Sequence, residues 1–320
     1  MEQKKLKDLE ELICRRYKNI CGMKVLKNQE AVYESYFHGC TPESRMHVYS
    51  VTKSVVSILF GIAIDKGYIT NVRQRVVDFF PAYAADTAKG EVTLEDIMTM
   101  TAAFNYRIPP YITYFTSDDW LQFSLDQLKG RGSRFRYTPL IGLDILTGIL
   151  EQAVGQPVLD FAREELFAPL HIAVEKSLVF KNKEEQMAFN QADSISGWAA
   201  DAKGLNAAGW GLALSANEMA DIGQLYANGG LWEEKQIVSK SWIEESTSEH
   251  SRWKQRNLPY GYLWWVDETD AGFAAMGDGG NIIYVNTKKQ LVISLICRFD
   301  PKAKDSIELI KRHIEPIFTL

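Results

Sequence analysis

Apolar residues recur along the chain with two spacings, one typical of helices and the other typical of strands. The helical spacing predicts helices over Leu6–Tyr17, Ser54–Lys66, Leu94–Met100, Leu140–Ala153, Phe161–Phe167, Ala216–Ala227 and Lys304–Ile317. Short or alternating apolar runs between turn residues predict strands over Lys24–Leu26, Ala31–His38, Tyr260–Val266, Gly272–Met276, Asn281–Val285 and Leu291–Cys297. Strands thus lie at both ends of the sequence, with most of the helices between them.

This order predicts an α/β fold of the α+β kind. One antiparallel sheet is built from both chain ends and flanked by the terminal helices, with a large helical domain inserted. We assign residues 1–60 and 255–320 to the sheet domain and residues 61–254 to the helical domain, and we expect an active site at their interface. Lys181–Asp193 is mostly polar and predicts a surface segment, and Phe104–Phe115 predicts a loop rich in proline and aromatic residues.

Composition excludes several classes of function. The 320 residues carry a net charge of −5 without a basic cluster, so nucleic-acid binding has no support. The longest apolar run, Val55–Ile64, is about half the length that a membrane span needs. The N-terminal segment is charged and amphipathic and does not resemble a signal peptide, so we expect a cytoplasmic protein. The amino-acid sequence does not indicate an oligomeric state.

Cofactor chemistry and the common hydrolase triad also lack their motifs. The four cysteines show no metal-ligand spacing, and there is no His-x-x-x-His pair or phosphate loop, so we expect neither metal nor cofactor. No Gly-x-Ser-x-Gly elbow exists, and the five histidines are scattered, which argues against a Ser-His-Asp hydrolase.

Ser50-Val51-Thr52-Lys53 stands at the head of the most apolar predicted helix. On a helix, residues three apart share one face, with Cβ atoms about 5–6 Å apart. A lysine held out of water loses its proton near neutral pH and can then take one from the serine. Ser50 and Lys53 are therefore a candidate nucleophile and base for acyl transfer.

Ser-x-x-Lys is a weak pattern, and the chain contains a second copy, Ser251-Arg252-Trp253-Lys254. This copy lies among charged residues, and no apolar helix follows it. We interpret it as a chance occurrence and Ser50–Lys53 as the functional copy.

Two further segments contain candidate catalytic groups. Tyr137 follows a Gly/Arg-rich turn. Neighbouring ammonium groups would lower the pKa of its phenol from about 10 towards values at which it could act as a general base. The alternative is an ordinary half-buried tyrosine. Acyl transfer also needs donors for an oxyanion: the Ser50 N–H at a helix N-terminus is one, and the segment Gly277–Asn281 supplies another. For this segment a plain hairpin turn is the alternative.

Taken in order, Ser50-x-x-Lys53, the Tyr137 turn and the glycine-rich Gly277–Asn281 segment resemble the class C β-lactamase and penicillin-binding-protein-like serine hydrolase family. Its relatives include D-alanyl-D-alanine carboxypeptidases, type VIII esterases and 6-aminohexanoate-oligomer hydrolases. Further segments are similar to patterns of the family: Leu150–Gly155, Ala208–Leu212 and Tyr260–Trp265. The resemblance implies a β-lactamase/transpeptidase-like fold.

The resemblance also implies roles for individual residues. Ser50 would be acylated, and Lys53 and Tyr137 would share the roles of general base and general acid. The backbone N–H groups of Ser50 and Asn281 would form the oxyanion hole, and Asp278, Gly279 and Gly280 would contact the substrate.

Two residues depart from the family pattern. Pro139 stands where the family typically has an asparagine that holds the lysine and the substrate amide. Asp278-Gly279-Gly280 stands where Lys-Thr-Gly or His-x-Gly is usual. An aspartate there would repel a substrate carboxylate, which disfavours β-lactams and peptide ends and suits a neutral or cationic ester or amide. Asp278 could also pair with Lys53 and keep it protonated.

Aromatic residues cluster near these motifs, and most of them are expected in the core. Tyr106 and Trp210 are the candidates for lining an apolar substrate pocket. The sequence therefore predicts a serine hydrolase that cleaves a small ester or amide through a Ser50 acyl-enzyme. The alternatives are a non-catalytic or weakly active binding relative of the same fold and a β-lactamase or D-Ala-D-Ala peptidase.

Overall fold

One eight-stranded antiparallel sheet organises the computed structural model, which describes residues 2–268 and 270–319. The N-terminal hairpin pairs with the last strand, so that Val25 lies opposite Ile293 on one side and Tyr33 on the other. The predicted sheet from both chain ends is therefore confirmed. Its spatial order is β11-β12-β13-β14-β15-β16-β1-β2.

The strands of the described residues are β1 (Ile20–Lys27), β2 (Glu30–Tyr36), β3 (Met46–His47), β4 (Ala102–Phe104), β5 (Leu128–Arg131), β6 (Ser177–Val179), β7 (Trp198–Ala200), β8 (Ala213–Leu214), β9 (Leu231–Trp232), β10 (Lys235–Gln236), β11 (Ser251–Trp253), β12 (Leu258–Tyr260), β13 (Trp265–Asp267), β14 (Gly272–Met276), β15 (Ile282–Asn286) and β16 (Leu291–Cys297). Strands β3 to β10 form four two-stranded pairs outside the main sheet.

The α-helices of the same residues are α1 (Glu2–Arg16), α2 (Val51–Asp65), α3 (Val76–Phe79), α4 (Thr87–Gly90), α5 (Leu94–Met98), α6 (Tyr111–Phe115), α7 (Trp120–Gln127), α8 (Asp144–Val154), α9 (Val158–Ala162), α10 (Lys183–Gln191), α11 (Ala216–Ala227), α12 (Lys240–Ser246), α13 (Ser306–Leu309) and α14 (Glu315–Phe318). A π-helical turn, Arg163–Phe167, extends α9, and another, Ile310–Ile314, joins α13 to α14.

Both faces of the sheet are covered, which explains why every residue of β16 is buried. Successive strand residues point to opposite faces. Ile293 and Leu295 pack with Ile13 of α1 on one face, whereas Val292 and Ile296 belong to the core that contains α2 and α11 on the other. The terminal helices therefore flank the sheet as predicted.

Helix α2 lies in the core, because its residues from Val51 to Ala63 are all buried. It contacts α8 and α12 of the helical region and β14 of the sheet. The first turn of this helix therefore lies at the junction between the sheet and the inserted helices. No helix in the part of the chain that the structure describes combines the length and apolarity of a membrane span.

The segment Lys181–Asp193 is mostly exposed, as predicted, and it contains helix α10, which Asn182 caps and which buries Phe189. Two local predictions were wrong. The predicted strand Tyr260–Val266 is broken into β12 and β13, because Leu263 adopts a φ of 64° and its carbonyl accepts a hydrogen bond from Ser54 of α2. The predicted loop Phe104–Phe115 contains helix α6, and its Phe104 belongs to β4.

Candidate active site

Ser50 caps helix α2, and its hydroxyl makes no capping bond to the helix. The hydroxyl instead accepts a hydrogen bond of 2.7 Å from the Nζ of Lys53, one helical turn along. Tyr49, immediately before the serine, adopts a left-handed φ of 51°, a backbone strain that often marks functional sites. The structure therefore brings the predicted pair into contact.

Lys53 is only 2% exposed, and its amine has a second acceptor, the backbone oxygen of Gly209, at 2.7 Å. Burial lowers the pKa of Lys53 to about 7, while the charges of Asp278 and Asp144 act in the opposite direction. A large share of Lys53 is therefore neutral at pH 7, as a general base requires.

The Gly209 carbonyl was not identified from the sequence, although Ala208–Leu212 was noted as a family-like segment. The buried carboxylate of Asp144 holds this segment by accepting hydrogen bonds from the Ala208 N–H at 3.0 Å and from the Tyr114 hydroxyl at 2.8 Å. A side chain at Gly209 would meet the Pro139 oxygen at 2.6 Å. Gly209 thus supplies the acceptor for Lys53 beside the proline that replaces the usual asparagine.

Tyr137 lies beside the pair, with its ring centroid 5.4 Å from the Nζ of Lys53. Burial raises the pKa of Tyr137 to about 12, although the Ser50 hydroxyl opposes the rise. The expectation that nearby cations lower this pKa was therefore wrong, because burial raises it and the charge of Asp278 raises it further. Tyr137 keeps its proton at neutral pH and can donate it.

Backbone and ring contacts hold the Tyr137 loop in place. The Arg136 N–H donates to the oxygen of Met100 at 2.8 Å. The indole of Trp253 stacks parallel to the Tyr137 ring at 6.4 Å, and Trp265 packs against it at 5.7 Å. Trp253 belongs to the second Ser-x-x-Lys copy, which forms strand β11 rather than a helix and buttresses the site without taking part in it.

The glycine-rich segment turns between β14 and β15 directly against the nucleophile. A Cβ on Gly277 would lie 2.2 Å from the oxygen of Val48 and 3.2 Å from the nitrogen of Ser50, so only glycine fits there. The buried side chain of Asn281 fixes the turn by donating to the Asp278 oxygen at 2.8 Å and accepting from the Cys297 N–H at 2.9 Å. The donor role of the Asn281 backbone stays a prediction.

Gly279 and Gly280 lie on the far side of this turn. The oxygen of Gly279 accepts a hydrogen bond from Asn19, and that of Gly280 accepts one from Ser306 of α13. Both residues have left-handed φ values, 77° and 92°. They shape the turn and do not line the pocket at Ser50, whereas Asp278 does line it.

A pocket of about 330 Å³ opens in front of Ser50. Sheet-side residues such as Asp278 and helical-region residues such as Pro139 both line it. Its aromatic walls are Tyr49, Tyr111, Phe115, Trp210 and Phe299. Trp210 is thus placed as predicted, but Tyr106 lies outside this lining, because its hydroxyl donates to the Ile141 oxygen at 2.8 Å and its ring stacks on Phe104.

His47, which sequence reasoning treated as structural, forms part of the pocket wall. The Gly211 N–H donates to its Nε2 at 3.0 Å, so that Nδ1 carries the proton and donates to Asn190 at 2.8 Å. Burial lowers the pKa of His47 to about 3, so the ring is neutral. The sequence did not identify His47 as a pocket residue, because no motif surrounds it. Among residues 2–268 and 270–319, no cluster of His, Cys, Asp or Glu is arranged to hold a metal ion.

The fold of the chain matches solved structures of the β-lactamase and penicillin-binding-protein fold. A penicillin-binding protein homologue from Caulobacter crescentus aligns with a TM-score of 0.71 and 16% identity over 97% of this chain and 96% of that one. A family VIII carboxylesterase aligns with a TM-score of 0.73 and 16% identity over 98% of this chain and 97% of that one.

In sequence, a 6-aminohexanoate-dimer hydrolase from Paenarthrobacter ureafaciens is 24% identical over 298 residues, which cover 84% of this chain and 70% of that protein. A family model described as Beta-lactamase matches residues 15–315. The chain belongs to the beta-lactamase family of hydrolases.

The pKa of Lys53 predicts the pH dependence of the nucleophile. Because neutral Lys53 takes the serine proton, the rate of covalent labelling at Ser50 should rise with pH, with a midpoint at about 7. Because the pKa of Tyr137 is about 12, loss of its proton should not reduce the labelling rate near neutral pH. Rates of modification by a fluorophosphonate between about pH 5.5 and 9.5 measure this midpoint. A midpoint close to that of a free lysine would contradict the assignment.

Asp278→Asn should move this midpoint to lower pH, because the charge of Asp278 raises the pKa of Lys53. Asp300→Asn is the matched control: its carboxylate binds the Lys302 N–H and is not among the charges that act on Lys53. Labelling rates of both variants across the same pH range make the comparison. An unmoved midpoint in Asp278→Asn would show that this carboxylate does not act on the lysine.

Proposed function

We propose that the protein is a serine hydrolase that cleaves a small ester or amide through an acyl-enzyme on Ser50. The observation that carries the proposal is the 2.7 Å hydrogen bond between the Ser50 hydroxyl and a buried lysine whose pKa is about 7. A buried amine with a perturbed pKa beside a hydroxyl, at the edge of a pocket, is the arrangement of an activated nucleophile.

Acylation begins when neutral Lys53 takes the proton of Ser50 as the serine oxygen attacks the substrate carbonyl carbon. The N–H groups of Ser50 and Asn281 stabilise the oxyanion. When the bond to the leaving group breaks, protonated Tyr137 donates to the departing oxygen or nitrogen, and Lys53 returns its proton to Tyr137. Water then attacks the acyl-enzyme, loses a proton to Lys53 and releases the acid, and Ser50 regains its hydrogen.

The size and lining of the pocket support a small substrate with a neutral or cationic group. A volume of about 330 Å³ between aromatic walls accommodates a short acyl or alcohol group. Asp278 stands at the position where carboxylate-binding members of the family have a cation, which disfavours β-lactams and peptide ends. Two relatives are named as a 6-aminohexanoate-dimer hydrolase and a family VIII carboxylesterase, which supports hydrolysis of an amide or an ester.

A non-catalytic binding relative is the competing interpretation. Pro139 and Asp278 favour it, since both replace residues of the usual motifs. The structure offers a compensation for Pro139, because Gly209 provides the acceptor for the amine of Lys53. A binding protein also gains nothing from burying an amine against a serine hydroxyl, which destabilises the charged form. We therefore favour the enzyme.

A fluorophosphonate probe should label the wild-type protein, and Ser50→Ala should abolish the labelling. Ser251→Ala is the matched control, because Ser251 heads the second Ser-x-x-Lys copy and its hydroxyl only donates to the Thr99 oxygen. Peptide mapping by mass spectrometry locates the modified residue. A folded wild-type protein that remains unlabelled, or equal loss of label in both variants, would refute a Ser50 nucleophile.

A further inference from the structure

The pocket in front of Ser50 has an unbalanced charge. Asp278 is exposed and is the one carboxylate among the lining residues, and no lysine or arginine lines the pocket. Within the described chain, no ion pair or side-chain hydrogen bond engages Asp278; the nearby Arg298 pairs instead with Asp193 at 3.1 Å. Burial keeps the ring of His47 neutral by lowering its pKa to about 3. The pocket therefore presents a net negative charge to a ligand.

Aromatic side chains line the same pocket as this carboxylate. Tyr49 lies 5.5 Å from Phe299, and Phe115 lies 5.4 Å from Trp210, with Tyr111 completing the wall. Aromatic faces attract cations, especially quaternary or alkylated ammonium groups, which lose little hydration energy when they are bound. Rings and one unpaired carboxylate together form a site suited to such a cation and unsuited to an anion.

The field of Asp278 reaches the catalytic groups. Its charge raises the pKa of Lys53, Tyr137, Tyr49 and Tyr111, and Asp278 lines the same pocket as Ser50, Tyr49 and Tyr111. A cation that neutralised Asp278 would therefore favour neutral Lys53, the form that takes the serine proton. Binding of such a group would promote acylation as well as affinity.

We propose that the substrate carries an ammonium group close to the scissile bond and that Asp278 binds this group inside the aromatic wall. The inference rests on the proposed function and specifies its substrate class. The reaction itself is unchanged: the bond between Ser50 Oγ and the acyl carbon forms, the bond to the leaving group breaks, and water later restores the serine and releases the acid.

Two isosteric esters test the proposal. Acetylcholine carries a quaternary nitrogen where 3,3-dimethylbutyl acetate carries a carbon atom, so the two differ in charge and little else. In the wild type, kcat/KM should be at least about tenfold higher for the cationic ester, consistent with an ion pair and several cation–π contacts. Asp278→Asn should abolish most of this preference, measured as the ratio of kcat/KM for the two esters in the same variant, and Asp300→Asn should retain it.

A binding measurement complements the kinetic comparison of the two esters. At about pH 9, where Lys53 is already neutral, tetramethylammonium should slow fluorophosphonate labelling of wild-type Ser50 by occupying the space that the probe needs, and it should lose this effect in Asp278→Asn. Hydrolysis of the neutral ester without preference for the cationic one, or labelling that tetramethylammonium leaves unchanged, would overturn the cation site and leave the hydrolase intact. Failure of the probe to label the folded wild type would instead remove the proposed function, and the cation site with it.

Discussion

Burial of one amine is the constraint on which the rest of the site depends. Lys53 points into a core where water cannot reach it, and moving its pKa from 10.5 to about 7 corresponds to roughly 5 kcal/mol against the charged form. The fold accepts this because the neutral amine still has two oxygen acceptors, on Ser50 and Gly209. The same apolar helix that anchors the sheet to the inserted helices thus keeps a lysine available as a base.

The neighbouring groups are arranged around that amine. Asp144 fixes the segment that contains Gly209, and His47 fixes the adjoining Gly211, so distant parts of the chain converge on one hydrogen-bond acceptor. Tyr137 packs against Trp253 and Trp265 and retains its proton, so that in the proposed mechanism Lys53 is the base and the phenol is the donor. Asp278 lines the same pocket and raises the pKa of Lys53, and in the proposed cation site it would link the choice of substrate to the protonation of the lysine.

Short-range features of the site were predictable from the sequence, whereas features that depend on distant contacts were not. Ser50 and Lys53 are three residues apart on a helix, so their contact follows from local geometry. Paired strands at the chain ends likewise follow from period-two patterns. The left-handed Leu263 that divides β12 from β13 depends on a hydrogen bond from Ser54, more than two hundred residues away along the chain. The raised pKa of Tyr137 depends on burial, and the roles of Gly209 and His47 depend on partners that no motif marks.

Direct titration of the Lys53 amine tests the central claim most directly. Proton–nitrogen NMR of the side-chain amines, with the Lys53 signal identified by its loss in Lys53→Met, would follow this group alone across the pH range. The structure predicts a midpoint near 7, far below that of the surface lysines. A Lys53 signal that titrates together with the surface lysines near 10.5 would show that the amine is charged at neutral pH, and Ser50 would then have no base beside it.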